Sequence, residues 1–507
     1  MTTDQPVAET AYGPVRGTDD GRSAVWKGVR YAAPPLGELR FRAPRPPQPW
    51  TEPADATAYG KVCPQPPVPN FPMNLGAGQD EDCLTLNVWA PPGTQPGAGK
   101  PVMVWVHGGA YVLGSSSQPY YSGGRLAAGG DVIVVTLNYR LGAFGFLDLP
   151  GCDTNVGLRD VLAALRWVRE NIAAFGGDPE RVTLFGESAG AGIVTTLLAV
   201  PQAQGLFSAA IAQSSPVTSV YDRSRAQLVT DEVMDYLQIG AGEEHRLAEV
   251  PVEALIAVTK KVFDEVPVRN PGALAFVPIV DGDLLTDYPV KLAREGRTHP
   301  VPLIIGTNRN EAALFRLMRS PLMPITPRAI TSMFNQIAGE QPDLQLPTEE
   351  QLSSAYAGKK GAARGVSIAS DVGFRMPSVW LAEGHNTVAP VYLYRFDYAS
   401  PLMKALLIGA AHATELPYVW GTLGSSQDMT LKLGGVKGAK AVSKRIRARW
   451  TNFAATAKPS GLPGEPDWTP YQAADRACLV IDHRDKIRND IDADIRIAWG
   501  EDPLHLR

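Results

Sequence analysis

The chain has 507 residues, of which 44% are hydrophobic and 20% are charged. This composition is typical of a globular protein with ample apolar side chains for a large core. The formal net charge of −4 argues against a nucleic-acid partner and against binding to an anionic membrane.

The chain shows no targeting segment or membrane segment. Its N-terminal stretch lacks a basic region followed by an apolar run, and no stretch approaches about 18 uninterrupted apolar residues. We therefore expect a cytoplasmic protein. The four cysteines and seven histidines show no metal-ligand spacing, so neither a metal nor a cofactor is expected. No repeat or break in composition divides residues 1–507, which predicts one domain, expected as a monomer.

Short apolar runs bounded by turn residues predict strands along the whole chain. Residues 9–60 hold short strand and turn signals, interrupted by a proline-rich stretch that we expect to be a surface loop. The clearer strand signals are residues 83–89, 102–106, 131–137, 181–185, 209–212, 301–306, 391–396 and 477–481.

Helical spacing of apolar residues predicts helices between these strands. The helices span residues 156–175, 193–200 and roughly 441–457. The stretches near 222–275 and 312–380 are mostly helical and are expected to be insertions over the sheet. Strands that alternate with helices indicate an α/β fold with a largely parallel sheet covered on both faces.

Ser188 lies in Gly186-Glu187-Ser188-Ala189-Gly190, which matches the pattern G-x-S-x-G. The pattern is meaningful here because a predicted strand precedes it and a predicted helix follows it. A serine in such a turn has a strained backbone and an exposed hydroxyl, and the glycines let strand and helix pass closely. The positive end of the helix would favour an anionic intermediate. We predict that Ser188 is a nucleophile rather than a chance match in a turn.

A serine nucleophile needs a base that is itself oriented by a third group. In α/β-hydrolases the chain order is serine, acid, histidine, which excludes His107 as the base. His412 is favoured because it lies in a loop of small residues after a predicted strand. The other candidates have surroundings that look solvent-facing: His245, His299, His385, His483 and His505.

The acid must lie between Ser188 and His412, where many carboxylates compete. Glu311 follows a predicted buried strand at the sheet edge where active-site loops gather. Asp281 and Asp283 lie in a turn, and a structural role as turn residues is favoured for them. From the chain alone, Glu311 is one candidate among several.

A glycine-rich loop, His107-Gly108-Gly109-Ala110, follows the predicted strand at residues 102–106. It matches the loop of lipases and esterases that directs backbone N–H groups at a developing oxyanion. A plain tight turn is the alternative, and the apolar strand before it makes that alternative weaker.

Together these motifs resemble the type-B carboxylesterases, the α/β-hydrolase branch that includes cholinesterases and bacterial para-nitrobenzyl esterases. The matching stretches run nearly end to end: residues 31–41, 81–84, 138–142, 175–179, 185–190, 213–215, 306–311 and 412–418. The resemblance implies the α/β-hydrolase fold, with a large, mostly parallel central sheet, covering helices and helical insertions over the site. It also implies a serine ester hydrolase that forms an acyl-enzyme and acts on neutral short-chain or aryl esters.

The resemblance assigns roles to individual residues. It implies Ser188 as nucleophile, His412 as base and Glu311 as the orienting acid. It places the oxyanion donors at the backbone N–H groups of Gly109, Ala110 and Ala189. Two structural ion pairs are also implied, Arg40 with Glu81 and Arg140 with Asp160, and Cys63 and Cys83 match the loop-closing disulfide of the family.

Several departures from the family pattern are visible. Ala413 and Ser215 each stand where the family usually has glycine. The loop between Cys63 and Cys83 contains no tryptophan, and Phe71 is its only aromatic residue, so a choline ester is disfavoured. Two alternatives remain: an amidase or carbamate hydrolase that uses the same residues, and a non-catalytic interaction protein, which would lack the triad.

Overall fold

A computed structural model describes residues 5–68, 73–424 and 431–504. Phe71 and His505, which the sequence singled out, lie outside these residues. The strands in chain order are β1 Val7–Thr10, β2 Gly13–Arg16, β3 Thr18–Asp19, β4 Ala24–Arg30, β5 Ala54–Asp55, β6 Thr85–Ala90, β7 Lys100–Val106, β8 Ile133–Leu137, β9 Gly177–Glu187, β10 Ala209–Gln213, β11 Tyr221–Asp222, β12 Ile279–Val280, β13 Leu303–Asn308, β14 Val391–Phe396, β15 Ala477–Ile481 and β16 Lys486–Asn489.

Helices connect these strands. In chain order they are α1 Gly124–Gly130, α2 Val156–Asn171, α3 Ala189–Leu197, α4 Arg223–Tyr236, α5 Val252–Arg269, α6 Pro289–Arg294, α7 Ala313–Leu317, α8 Pro327–Glu340, α9 Glu349–Ala355, α10 Gly361–Ser370, α11 Met376–His385, α12 Pro401–Ala405, α13 Leu416–Trp420, α14 Val436–Thr456 and α15 Ala493–Trp499.

Within the described residues, the strands form one 11-stranded sheet in the order β16-β15-β14-β13-β10-β9-β7-β8-β6-β4-β3, together with two small sheets. The middle of the large sheet, from β15 to β8, is parallel, and both ends are antiparallel. The expected large, mostly parallel sheet is therefore confirmed.

The side chains of β7 pack into two hydrophobic clusters, one on each face of the sheet. Val102, Val104 and Val106 belong to the cluster that includes α2 and α3. Met103 and Trp105 belong to the cluster that includes α1, α13 and α14. Successive side chains of a strand point to opposite faces, so a continuous apolar run is buried only when helices cover both faces.

The parallel strands deliver the candidate residues to one edge of the sheet. Ser188 follows β9, Glu311 follows β13, and the glycine loop that begins at His107 follows β7. His412 arrives after β14 and α12. Because the carboxyl ends of parallel strands meet at one edge, residues that are distant in the chain come together there.

The structure departs from the sequence-based elements at a few ends. The helix after Ser188 begins at Ala189 rather than at residue 193, and α14 begins at Val436 rather than near residue 441. The prediction also missed β16, which pairs antiparallel with β15 at the sheet edge. Ile487 is its one apolar residue and the other three are polar or charged and exposed, so β16 lacks the continuous apolar run of the buried strands.

The two predicted insertions are helical. The first contains α4 and α5, and the second contains α7 to α11. Asp222 caps the N-terminus of α4: its side chain accepts a hydrogen bond from the N–H of Arg225. No helix in the described part of the chain is both long enough and apolar enough to cross a membrane.

Candidate active site

Ser188 occupies a sharp turn between β9 and α3. Its backbone angles are φ 56° and ψ −127°, a strained combination for a residue with a side chain. The flanking glycines are needed for space: a Cβ on Gly190 would lie 2.1 Å from the carbonyl oxygen of Val106, and a Cβ on Gly186 would lie 2.7 Å from the backbone of Gly190. Strand and helix therefore pass as closely as the motif requires, and Ser188 remains half-buried at a cavity.

His412 is anchored by Glu311. The Nδ1 atom of the ring lies 2.8 Å from Oε2 of Glu311. The other carboxylate oxygen of Glu311 accepts hydrogen bonds from the Ser214 hydroxyl at 2.6 Å and from the N–H of Asn308 at 2.5 Å. Because an ionised carboxylate only accepts, this arrangement favours the proton on Nδ1 and leaves Nε2 as the basic nitrogen.

The Nε2 atom of His412 lies beside the residue that precedes the serine. Its distance to Oε1 of Glu187 is 3.2 Å. Among the described residues, no hydrogen bond joins His412 to the hydroxyl of Ser188. Catalytic hydrogen bonds are often loose without substrate and tighten in the substrate complex, so this geometry is compatible with the predicted base.

Three buried glutamates surround His412: Glu187, Glu311 and Glu415. Burial alone would lower the pKa of the imidazole, but the carboxylates, with Glu187 the strongest, raise the pKa of His412 to about 9. Burial raises the pKa of Glu187 to about 8, against the attraction of His412. The His412–Glu187 pair therefore retains a proton at neutral pH, and the two groups titrate together.

Two aromatic side chains pack against the ring of His412. The ring centroid lies 5.2 Å from that of Phe315, in α7, and 4.7 Å from that of Phe374. Phe374 belongs to a π-helical turn, Asp371–Arg375, that joins α10 to α11. Such turns are often found at functional sites. Here the turn brings an aromatic face to the imidazole and excludes water from it.

The glycine loop after β7 has free backbone donors. Gly109 and Ala110 have positive φ angles of 121° and 53°. Within the described residues, the N–H groups of Gly109, Ala110 and Ala189 have no hydrogen-bond acceptor. Ala189 is buried, and Gly109 and Ala110 are half-buried at the cavity. Backbone N–H groups shielded from water are normally paired, so three free ones next to Ser188 are suited to an anionic oxygen. Their role as an oxyanion hole stays a prediction.

A cavity lies directly in front of Ser188. Its walls include Ala110 and Ala189 and are otherwise mainly apolar, with Leu274, Phe315, Met323, Met333, Ile337 and Phe374 among them. None of the described residues that line it is charged. The insertions supply much of this wall, as expected for helical segments over the site.

The competing carboxylates and histidines have other partners. Asp281 accepts hydrogen bonds from Thr154 and Asn155, and Asp283 pairs with Arg159 at 2.9 Å. Both are turn residues, as favoured from the sequence. The expectation that the other histidines face solvent is wrong for His385, which is fully buried. Its ring can be buried because both nitrogens have partners, the Thr298 hydroxyl and the carbonyl of Val301.

His107, the first residue of the glycine loop, has structural contacts. Its ring is buried, lies 2.9 Å from the carbonyl of Gly108 and stacks on Tyr139. Burial lowers the pKa of His107 to about 4. Among the described residues, no group of three or more histidines, cysteines, aspartates or glutamates could hold a metal ion.

Sequence reasoning did not identify Glu187, Ser214 and Glu415 as part of the surroundings of His412. Glu187 is the variable position of the serine motif, and Ser214 lies at the end of β10, in a stretch already noted for its family resemblance. Glu415 accepts hydrogen bonds from Asn308 and Gln213. Ser214 could have been found from its position directly after a predicted strand, because its residue type alone does not mark it.

The two departures from the family pattern are accommodated differently. Ser215 is buried and its hydroxyl lies 2.9 Å from that of Thr195. Ala413, directly after His412, has φ 62°. A left-handed conformation costs a residue with a Cβ about 1–2 kcal/mol relative to glycine, so the loop of His412 carries some strain.

The implied ion pairs are present. Arg40 contacts Glu81 at 2.5 Å and Arg140 contacts Asp160 at 2.7 Å, and neither pair touches the cavity at Ser188. Cys63 and Cys83, which the resemblance pairs, are both buried thiols. A hydrogen bond to Cys63, together with burial, raises the pKa of Cys83.

Known proteins resemble this chain over nearly its whole length. The family described as "Carboxylesterase family" matches residues 4–496. The chain belongs to the carboxylesterase family. A para-nitrobenzyl esterase of Bacillus subtilis is 38% identical over 501 residues, which cover 97% of each chain. A phenmedipham hydrolase of Pseudarthrobacter oxydans is 34% identical, with 94% of this chain and 95% of the relative covered.

Solved structures of carboxylesterases share the fold. A thermophilic PNB esterase has a TM-score of 0.87 and 36% identity, and the match covers 98% of this chain and 100% of the esterase. A carboxylesterase of Geobacillus stearothermophilus has a TM-score of 0.84 and 34% identity, covering 97% of this chain and 100% of its own. The expected α/β-hydrolase fold and the family resemblance are therefore confirmed.

Proposed function

We propose that this carboxylesterase hydrolyses neutral carboxylic esters through a covalent acyl-enzyme on Ser188. The Oγ atom of Ser188 attacks the ester carbonyl carbon while Nε2 of His412 takes its proton. The carbon–oxygen bond to the alcohol then breaks, and His412 returns the proton to the departing alcohol oxygen. Water, deprotonated by His412, attacks the acyl carbon next, and the acid leaves as Ser188 recovers its proton.

Glu311 and the glycine loop complete the proposed machinery. The contact that carries the proposal is the 2.8 Å hydrogen bond between Nδ1 of His412 and Glu311. It orients the imidazole and stabilises the imidazolium that forms after proton transfer. The free N–H groups of Gly109, Ala110 and Ala189 would stabilise the negative oxygen of the tetrahedral intermediate. A non-catalytic interaction protein would have no need of this arrangement.

The lining of the cavity supports a neutral substrate. Its apolar walls offer no charged group among the described residues, so a charged acyl or alcohol group would be desolvated without compensation. The lining contains no tryptophan among the described residues, and Trp380 and Trp420 are buried elsewhere; its aromatic residues are Tyr221, Phe315 and Phe374. Short-chain or aryl esters fit these walls best.

Hydrolysis of amides or carbamates with the same residues is the second candidate. A relative that is 34% identical is named phenmedipham hydrolase, so the family fold is not restricted to one named substrate. Rates on matched para-nitrophenyl esters, anilides and carbamates with one acyl group would separate the two candidates.

Labelling with a fluorophosphonate probe tests the nucleophile. The wild-type enzyme should be labelled at one site, which peptide mapping should place on Ser188. Ser188→Ala should lose labelling and ester turnover while its unfolding midpoint stays the same. Ser219→Ala is the matched control, because it removes another hydroxyl from the same cavity. More than a few per cent of residual turnover in Ser188→Ala would exclude this mechanism.

A further inference from the structure

A second cavity of about 550 Å³ lies away from Ser188, between α1, α14 and the segment after α13. It shares no lining residue with the cavity at Ser188. Its charged lining residues are all cations: Arg22, Arg125, Lys440, Lys444 and Arg447. No acidic residue of the described chain lines it. A concentration of five positive charges is unexpected in a chain whose net charge is −4.

Within the described residues, the acidic group seen beside the cavity is Asp20, which accepts a hydrogen bond from the backbone N–H of Arg22 and not from its side chain. Elsewhere in the fold, buried arginines are paired, as Arg140 is with Asp160 and Arg375 with Asp371. Within the described ranges, none of the five cations makes an ion pair with a carboxylate. Positive charges held close together without compensation raise the local electrostatic potential and attract anions.

Two of the arginines are held in place by backbone contacts. Arg125 donates a hydrogen bond of 2.6 Å to the carbonyl of Gly421. Arg447 packs against two glycines: a Cβ on either Gly421 or Gly129 would lie 3.2 Å from its guanidinium. The Nε of Arg447 is buried and has no hydrogen-bond acceptor in the described chain. Burial, and then the neighbouring Arg125, lower the pKa of Arg447.

Three of the cations share one face of α14. Lys440, Lys444 and Arg447 follow one another at spacings of four and three residues, which place side chains on the same side of a helix. Lys440 and Lys444 are exposed, whereas Arg447 is half-buried. Arg22 and Arg125 are exposed as well, so four cations lie at the rim of the cavity and the guanidinium of Arg447 lies deeper.

We propose that this cavity binds a soluble small molecule that carries at least two phosphate groups. Guanidinium groups match phosphate oxygens in a two-pronged geometry, and lysines add charge without directional demands. A single monovalent anion would leave most of the five cations uncompensated. The cavity volume falls within the range of small-molecule sites, about 300–1,000 Å³.

Calorimetric titration with inorganic tripolyphosphate at fixed ionic strength tests this site. The wild-type protein should bind one equivalent with saturation. The double variant Lys440→Glu/Lys444→Glu should bind at least about tenfold more weakly, because two attractive contacts become repulsive. Lys437→Glu is the control: it reverses one charge, where the double variant reverses two, on an exposed residue of α14 that does not line the cavity, and its affinity should change less than about threefold.

The outcomes separate the site from general electrostatics. Both variants should keep wild-type ester hydrolysis, which shows that they are folded. Absence of saturable tripolyphosphate binding would overturn the proposal, as would an equal loss in Lys437→Glu. A second experiment measures cosedimentation with phosphatidylglycerol vesicles and binding to single-stranded DNA. Binding to either one that depends on Lys440 and Lys444, without tripolyphosphate binding, would also refute a soluble phosphate ligand.

Discussion

The Nε2 atom of His412 lies 3.2 Å from Oε1 of Glu187, the residue that precedes Ser188 in the chain. The serine turn thus contributes both the proposed nucleophile and a carboxyl group that contacts the proposed base. Glu187 is buried and its Oε1 makes no conventional hydrogen bond within the described residues. Its chief partner in this position is the imidazole itself.

This contact predicts how ester hydrolysis depends on pH. A carboxylate beside Nε2 favours the imidazolium, so the His412–Glu187 pair keeps a proton to about pH 8–9. Glu187→Gln removes that charge and should lower the apparent pKa of His412. The acid limb of the kcat/KM profile should move to lower pH by about 1–3 units.

The matched control for this profile is Glu180→Gln, which changes an exposed glutamate of the same strand β9. It should leave the profile in place. An acid limb that stays fixed in Glu187→Gln, or moves to higher pH, would show that Glu187 does not set the protonation of His412.

Glu311→Gln tests the orienting acid. The amide keeps the shape of the side chain but removes the charge that stabilises the imidazolium and fixes the Nδ1–H tautomer. Loss of the equivalent acid in a serine protease costs about 10⁴-fold in turnover, and a loss of similar size is expected in kcat here. Asp281→Asn should leave kcat within a few-fold, since Asp281 bonds to Thr154 and Asn155. The reverse pattern would reassign the acid to Asp281.

The buried pair of Arg140 and Asp160 should support the fold and not the chemistry. Asp160 is fully buried, so Asp160→Asn leaves the guanidinium without its counter-charge. The expected loss in free energy of unfolding is about 3–5 kcal/mol, measured by urea denaturation. Asp283→Asn breaks an exposed pair, whose aspartate side chain is 73% accessible, and should cost less than about 1 kcal/mol. Equal losses in the two variants would contradict this distinction.

The uncharged cavity predicts little preference for a cationic substrate. One cation–π contact contributes about 0.5–2 kcal/mol, so discrimination between a charged ester and its neutral isostere should stay below about thirtyfold. Butyrylcholine and 3,3-dimethylbutyl butyrate should be compared by kcat/KM at low ionic strength, where steering is strongest. A preference of about a hundredfold or more for butyrylcholine would reveal an ammonium site and contradict the proposed substrate class.

The sequence alone was enough to predict the fold and most of the candidate site. Apolar runs such as residues 102–106 predict strands buried on both faces, because successive side chains must each meet a covering layer. The turn at Ser188 is predicted by its two glycines, since the structure leaves no room for a Cβ at either position. These features depend on neighbours in the chain, and so local pattern determines them.

The surroundings of His412 were decided only by the tertiary structure. Glu187, Ser214 and Glu415, which the sequence did not single out, come from three separate segments, and they meet His412 and Glu311 because parallel strands end at one edge of the sheet. The same holds for the cavity where Arg125 of α1 meets Arg447 of α14. Charge and burial at such points depend on which distant segments pack together, and no spacing within the chain encodes that packing.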